Sequence, residues 1–193
     1  MTAPDASPRS LATGRPLGIV VVCTGNICRS AFAASYLRHG LADRAPGVFD
    51  VTSAGTGTAP GLTVPREVLD LGEPLGLDVA GHRARQLTPG IIRAADLVLT
   101  ATRAHRSATL AEVPGALKLT YLLTEFADLL RIVNARPGPD ADAWRVAISQ
   151  VVAHRGAVTP TDVPDPYGRG RPAYDAMARQ LMPLLEVIVA AAR

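Results

Sequence analysis

The chain has 193 residues, 48% hydrophobic and 19% charged, which suits a protein with one sizeable core and excludes global disorder. Twenty basic and 17 acidic side chains leave a net charge of +3 with only 4% aromatics; nineteen scattered arginines in that setting are not a nucleic-acid groove. The longest apolar run, Leu181 to Ala192, is interrupted by Pro183 and Glu186, which argues against a membrane span, and two cysteines are too few for a secreted disulfide framework.

Met1 to Pro16 is polar and rich in Pro, Ser and Ala, without the order of a secretory signal, and is expected to be a flexible leader. Leu17 to Val22 is a β-branched run with no polar alternation, the pattern of a strand buried on both faces of a parallel sheet. Cys23 to Arg29 follows as a loop, and Ser30 is a good N-cap for a helix over 31–41, where Phe32, Tyr36 and Leu37 share one face. The alternation then repeats. Strands are expected at 48–52, 97–100 and 116–119, and helices at 65–75, 89–94, 102–112 and 120–131. Such an order implies an α/β fold: a three-layer sandwich with a central, roughly four-stranded parallel sheet and helices on both faces.

Residues 133–160 break the rhythm. A linker-like Arg-Pro-Gly-Pro stretch precedes an amphipathic helix over 141–154, with Trp144, Ala147, Ile148 and Val151 on one face. A Pro/Gly-rich loop over 156–172 carries Asp162, Asp165 and Tyr167, and a last helix runs over 173–191. The expected organisation is therefore one domain over 17–193 with an insertion at 133–160. Shielding of a cleft, partner binding and self-association are all open roles for that insertion. Trp144 and Tyr174 are expected to be packing residues.

The informative segment is Cys23 to Ser30. Backbone N–H groups of a tight loop at a helix N-terminus converge on one point and make an anion site. Gly25 relieves Cβ crowding in the turn, and Asn26 tolerates left-handed dihedrals. Arg29 grips two phosphoryl oxygens with a planar fork that lysine lacks. Cys23, in the positive field of that loop, is expected to serve as a thiolate and in-line nucleophile. Cys28 is open between a packed thiol and a redox partner for Cys23.

Cys23-Thr-Gly-Asn-Ile-Cys-Arg-Ser30 resembles the active-site loop of the low-molecular-weight protein tyrosine phosphatases, which share their fold with thioredoxin-coupled arsenate reductases and protein arginine phosphatases. Ser53-Ala-Gly-Thr56, Gly81-His-Arg-Ala-Arg-Gln86, Ala95-Asp-Leu-Val-Leu99 and Asp162-Val-Pro-Asp-Pro-Tyr167 resemble further segments of that family, in the family's order. The resemblance implies metal-independent phosphomonoester hydrolysis with no cofactor. Cys23 would form a phosphocysteine. Arg29 and the backbone of Thr24, Gly25, Asn26, Ile27 and Cys28 would hold the phosphoryl oxygens. Asp165 would act as general acid and then base, with Asp162 as the competing carboxylate. Ser30 would hydrogen-bond the thiolate, Asn26 would hold the loop against Ser53 and His82, and Tyr167 would wall the cleft.

An arsenate reductase relay needs cysteines beyond the loop, and this chain has none. Protein arginine phosphatases carry a threonine where this chain has Ile27, and an apolar side chain there favours a flat aromatic leaving group. The expected substrate is a phosphotyrosine protein, such as a bacterial tyrosine kinase, met in the cytoplasm. Phosphate and other oxyanions would enter the loop, and nucleic acid and membrane are not expected partners. Ala54 to Pro65 has no aromatic residue, although several family members place one there against the substrate ring. The alternative is a non-catalytic phosphate-binding or redox-sensing module on the same fold; an intact Cys23, Arg29 and Asp165 set argues against it, because binding alone needs neither nucleophile nor acid.

Overall fold

The computed structural model describes residues 14–193. Residues 1–13 of the expected leader lie outside the described residues. Arg15 is anchored, its guanidinium on the Asp96 carboxylate at 2.6 and 2.8 Å.

Four strands, β1 (Leu17–Cys23), β2 (Phe49–Gly55), β3 (Leu97–Thr100) and β4 (Thr120–Leu122), form one parallel sheet in the order β2-β1-β3-β4. The helices are α1 (Arg29–Arg44), α2 (Arg66–Gly72), α3 (Pro89–Ala94), α4 (Arg103–Glu112), α5 (Leu123–Ile132), α6 (Ala141–Val151) and α7 (Arg171–Ala190). The unalternating β1 sequence is explained by burial on both sides. Leu17, Ile19, Val21 and Cys23 face a large core with Phe32, Phe126, Trp144 and Leu181. Val20 and Val22 face a smaller one with Ile92, Val98 and Ala116. Helices α1, α5, α6 and α7 contribute to the first core and α3 to the second, which makes the expected three layers.

Two expectations about element ends need correction. The fourth strand is at Thr120–Leu122, not 116–119, because Pro114 and Gly115 open a 3-10 turn over Pro114–Lys118, and the helix expected from 120 accordingly starts at Leu123. Only Thr120 onward pairs with β3, starting at Val98↔Thr120. Ser30 is not an N-cap. Helix α1 begins at Arg29, with Cys28 in the cap position and no side chain accepting from its first turn.

The segment that breaks the alternation wraps the far end and edge of the sheet. Trp144 of α6 packs edge-on against Phe49, where β2 begins, at 5.4 Å between ring centroids. Arg145 donates to the carbonyls of Arg15 and Pro16 just before β1 and to Asp96 just before β3. Helix α6 thus sits by the N-terminal ends of the strands, whereas Cys23 ends β1 at the opposite side. It does not cover the Cys23 loop. Arg155 follows, lying 4.0 Å above the Tyr121 ring and donating to the Leu117 and Thr120 carbonyls. Beside β4, it occupies acceptors that an edge strand would otherwise expose.

Candidate active site

Parallel α/β sheets bind ligands beyond the C-terminal ends of their strands, where successive connections leave in opposite directions. Strand β1 has β2 on one side and β3 on the other, and the loop from Cys23 to Arg29 emerges there. The sixteen-residue helix α1 points its N-terminus at this loop. Its first N–H groups receive no side-chain cap and remain available to an anion.

Asn26 organises the loop from inside. It is fully buried, with φ +52°, a conformation that asparagine tolerates better than most residues. Its Oδ1 accepts from the Arg85 N–H at 3.0 Å, which fixes the orientation of the amide. Nδ2 then donates to both Ser30 Oγ and Ser53 Oγ, each at 2.9 Å. Ser30 Oγ, already accepting from Asn26, lies 2.9 Å from Cys23 Sγ, so its own proton is free to point at the sulfur. His82 Nε2 donates to the Asn26 carbonyl at 2.6 Å, and burial lowers the pKa of this histidine.

The expected role of Gly25 is not supported: a Cβ there would meet Ile27 at an ordinary 3.5 Å. Beside the loop, Gly55 has no room: it is paired with Cys23 across the sheet, and a Cβ there would run into the Thr24 carbonyl oxygen.

Arg29 is 4% exposed. One guanidinium nitrogen donates to the Val163 carbonyl at 3.2 Å and the other to Asp165 Oδ2 at 2.7 Å. Its Nε is buried without a hydrogen-bond partner, a donor left over for a ligand. Asp165 also turns Oδ1 toward the Tyr167 N–H at 3.3 Å. Cys23, Thr24, Gly25, Ile27, Cys28, Arg29, Asp165 and Tyr167 therefore line one cleft of about 240 Å³. Leu62 completes the lining. It is 47% exposed and supplies an aliphatic wall in the stretch where family members place an aromatic one; its signal in the sequence was a lone leucine in a Gly/Thr/Pro-rich loop. Asp162 does not enter the cleft. Its carboxylate accepts from the backbone N–H of Arg103 at 2.9 Å, at the start of α4.

Two further groups complete the surroundings. Cys28 is a free, buried thiol donating to the Tyr174 hydroxyl at 3.8 Å, and burial pushes its pKa up to about 12. Tyr174 thus backs the loop as well as packing in the core. His105 escaped the sequence reading, since a single histidine inside a helical stretch carries no motif. Its ring bridges Thr24 Oγ1 and Thr102 Oγ1, both at 2.8 Å. Burial and then the Arg29 charge hold its pKa down at about 4.

Residues 18–130 match the family described as low molecular weight phosphotyrosine protein phosphatase. The chain belongs to that family. The chain is 37% identical over 107 residues to a probable low molecular weight protein-tyrosine-phosphatase, EpsP, of Ralstonia solanacearum, an overlap covering 55% of this chain and 70% of the relative. A protein-arginine-phosphatase of Geobacillus stearothermophilus is 35% identical over 111 residues, covering 58% and 72%. The structure of the YwlE arginine phosphatase from Geobacillus stearothermophilus superposes with a TM-score of 0.69 at 28% identity, over 90% of this chain and 91% of that one. A low molecular weight phosphatase fold with the loop, the arginine and the acidic segment on one cleft is thus in place. Among the described residues no helix is long and apolar enough to cross a membrane.

Proposed function

We propose that this chain hydrolyses phosphotyrosine in proteins through a phosphocysteine on Cys23. The observation that carries the reading is the cleft in which a buried Arg29 reaches Asp165 at 2.7 Å while Cys23 and the uncapped start of α1 share the same lining. An arriving phosphoryl group takes the guanidinium and loop N–H donors, and so displaces Asp165 from Arg29 toward the leaving oxygen. The Cys23 thiolate attacks phosphorus in line. The bond to the phenolic oxygen breaks, its electron pair stays on oxygen, and Asp165 supplies the proton. Water then attacks the phosphocysteine, Asp165 takes its proton, and the thiolate leaves with the Ser30 hydroxyl donating to it. The donors of the loop and Arg29 hold the equatorial oxygens throughout.

The walls of the cleft favour an aromatic leaving group. Ile27, Leu62 and Tyr167 are its apolar and aromatic lining, and Asp165 is the one carboxylate among the lining residues. A guanidinium substrate would want a further carboxylate to pair with its charge. A bacterial tyrosine kinase in the cytoplasm is the partner this reading puts forward.

The test is p-nitrophenyl phosphate hydrolysis against pH with EDTA present, for wild type, Cys23→Ser and Asp165→Asn, followed by phosphotyrosyl and phosphoarginyl peptides. Turnover abolished in Cys23→Ser, slowed in Asp165→Asn and selective for the phosphotyrosyl peptide is the expected result. No turnover by folded wild type from about pH 5 to 8 would point to a binding or sensing module. A preference for the phosphoarginyl peptide would overturn the substrate assignment alone.

A further inference from the structure

An incoming phosphoryl group removes the contact between Asp165 and Arg29, and the Asp165 side chain is 45% exposed. Something else must then hold the carboxyl over the leaving oxygen. Two prolines, Pro164 and Pro166, flank Asp165 and fix φ on either side of it, while also restricting the residues that precede them. A chain this stiff transmits the position of its upstream anchor. That anchor is twofold: Thr124 of α5, whose hydroxyl donates to the Thr161 carbonyl at 2.8 Å and accepts from the Thr161 N–H at 3.1 Å, and the junction of β3 with α4. Val163 N–H donates to the Ala101 carbonyl at 2.8 Å. Asp162 Oδ1 accepts from the Arg103 N–H at 2.9 Å and from the Arg103 guanidinium at 3.3 Å. The Arg103 N–H has no acceptor within its own helix, so a carboxylate at this positive helix end fills a vacant bond. The same short stretch, 101–105, carries His105, bound to Thr24 at the start of the anion loop.

We infer that Asp162 is a positioning residue for the reaction: by capping the first turn of α4 it fixes the acid loop, and with it Asp165, against the Cys23 loop that the same turn holds through His105. The inference rests on the general-acid role of Asp165 proposed above. Asp162 touches neither the phosphoryl group nor the leaving group. Its pair with Arg103 is half-exposed on both sides, and such pairs contribute little to stability, so removing it leaves the fold intact and alters placement.

The experiment compares kcat/KM for p-nitrophenyl phosphate, whose leaving group needs little protonation, with phenyl phosphate, whose leaving group needs it. Wild type, Asp162→Ala, Asp162→Asn, Asp165→Asn and the Asp162→Ala/Asp165→Asn double variant are measured, with inhibition by inorganic phosphate as the check on the anion loop. Asp162→Ala is expected to lose about tenfold on phenyl phosphate, the scale of a displaced catalytic group, and less than about threefold on p-nitrophenyl phosphate. Phosphate inhibition should stay as in wild type. Asp162→Asn, which keeps the acceptor oxygen, should recover most of the loss, and Asp162→Ala should add nothing once Asp165 is Asn. Equal losses on both substrates, no loss on phenyl phosphate, or an additive double variant would each overturn the inference. If Asp165→Asn itself shows no extra loss on phenyl phosphate, the acid assignment fails instead. That outcome is distinct from an acid-dependent enzyme indifferent to Asp162.

Discussion

Replacing Asn26 by alanine tests whether this one buried side chain holds the anion loop together. The amide makes three side-chain hydrogen bonds, from Nδ2 to Ser30 and Ser53 and from Arg85 N–H to Oδ1. Alanine deletes all three, at about 1 kcal/mol each. It also puts a Cβ residue without asparagine's tolerance at φ +52°, for about 1 kcal/mol more. The predicted loss is about 4 kcal/mol, within the 5–15 kcal/mol or so by which a domain is stable, so the variant folds and can be measured. Urea unfolding should show a midpoint lower by about 2 M at unchanged slope, taking a slope of about 2 kcal/mol per M. Asn26→Gly loses the same bonds but not the dihedral, and should be more stable than Asn26→Ala by about 1 kcal/mol despite its smaller side chain. Both variants should bind inorganic phosphate more weakly, since Ser30 and the loop N–H groups lose their support. A loss under about 1.5 kcal/mol, or an alanine variant as stable as the glycine one, would refute the reasoning.

Arg29→Lys should lower kcat/KM by about 100-fold and weaken phosphate inhibition, because an ammonium cannot replace a buried fork that supplies two nitrogens to one face; activity within about threefold of wild type would remove Arg29 from the phosphoryl site. His105 is held down at about 4 against an ordinary 6.5, so the unfolded chain takes its proton first as pH falls. The stability due to neutral His105 is full above pH 6.5 and is lost toward pH 4. It should cost about 2 kcal/mol between pH 7 and pH 5, seen in urea midpoints and missing from His105→Gln; an equal slope in the variant would discount the buried ring. Arg155→Ala strips a cation from the nearly buried Glu125 carboxylate and from the Tyr121 ring. It should destabilise by about 2–3 kcal/mol and leave kcat/KM unchanged, whereas a fall in kcat/KM would tie the segment after α6 to the cleft.

What was legible in the sequence was whatever is local. Burial on both faces of β1 shows in an unbroken β-branched run. The anion loop is eight consecutive residues between a strand and a helix, and the left-handed Asn26 sits inside it. The packing face of α6 was readable from spacing as well, since Trp144, Ala147, Ile148 and Val151 are the residues it buries. The errors had local causes too. Ser30 resembles a cap in sequence, but its hydroxyl is taken by Asn26 and Cys23, and Ala-Leu-Lys-Leu at 116–119 resembles a strand until the turn at Pro114 displaces it.

By itself the sequence determined the alternating α/β order and the chemistry of the Cys23 loop, because strand, turn and helix preferences act between neighbours. The tertiary structure decided which of two carboxylates faces that loop. Asp165 lies 136 positions from Arg29 and Asp162 lies 59 from Arg103, and no local preference spans such separations. It also decided that α6 lies at the far end of the sheet, that Leu62 joins Tyr167 in lining the cleft, and that His105 braces Thr24 from 81 positions away. Each of these depends on which surfaces meet when the strands are ordered β2-β1-β3-β4, and that order follows from closing a core over the whole chain.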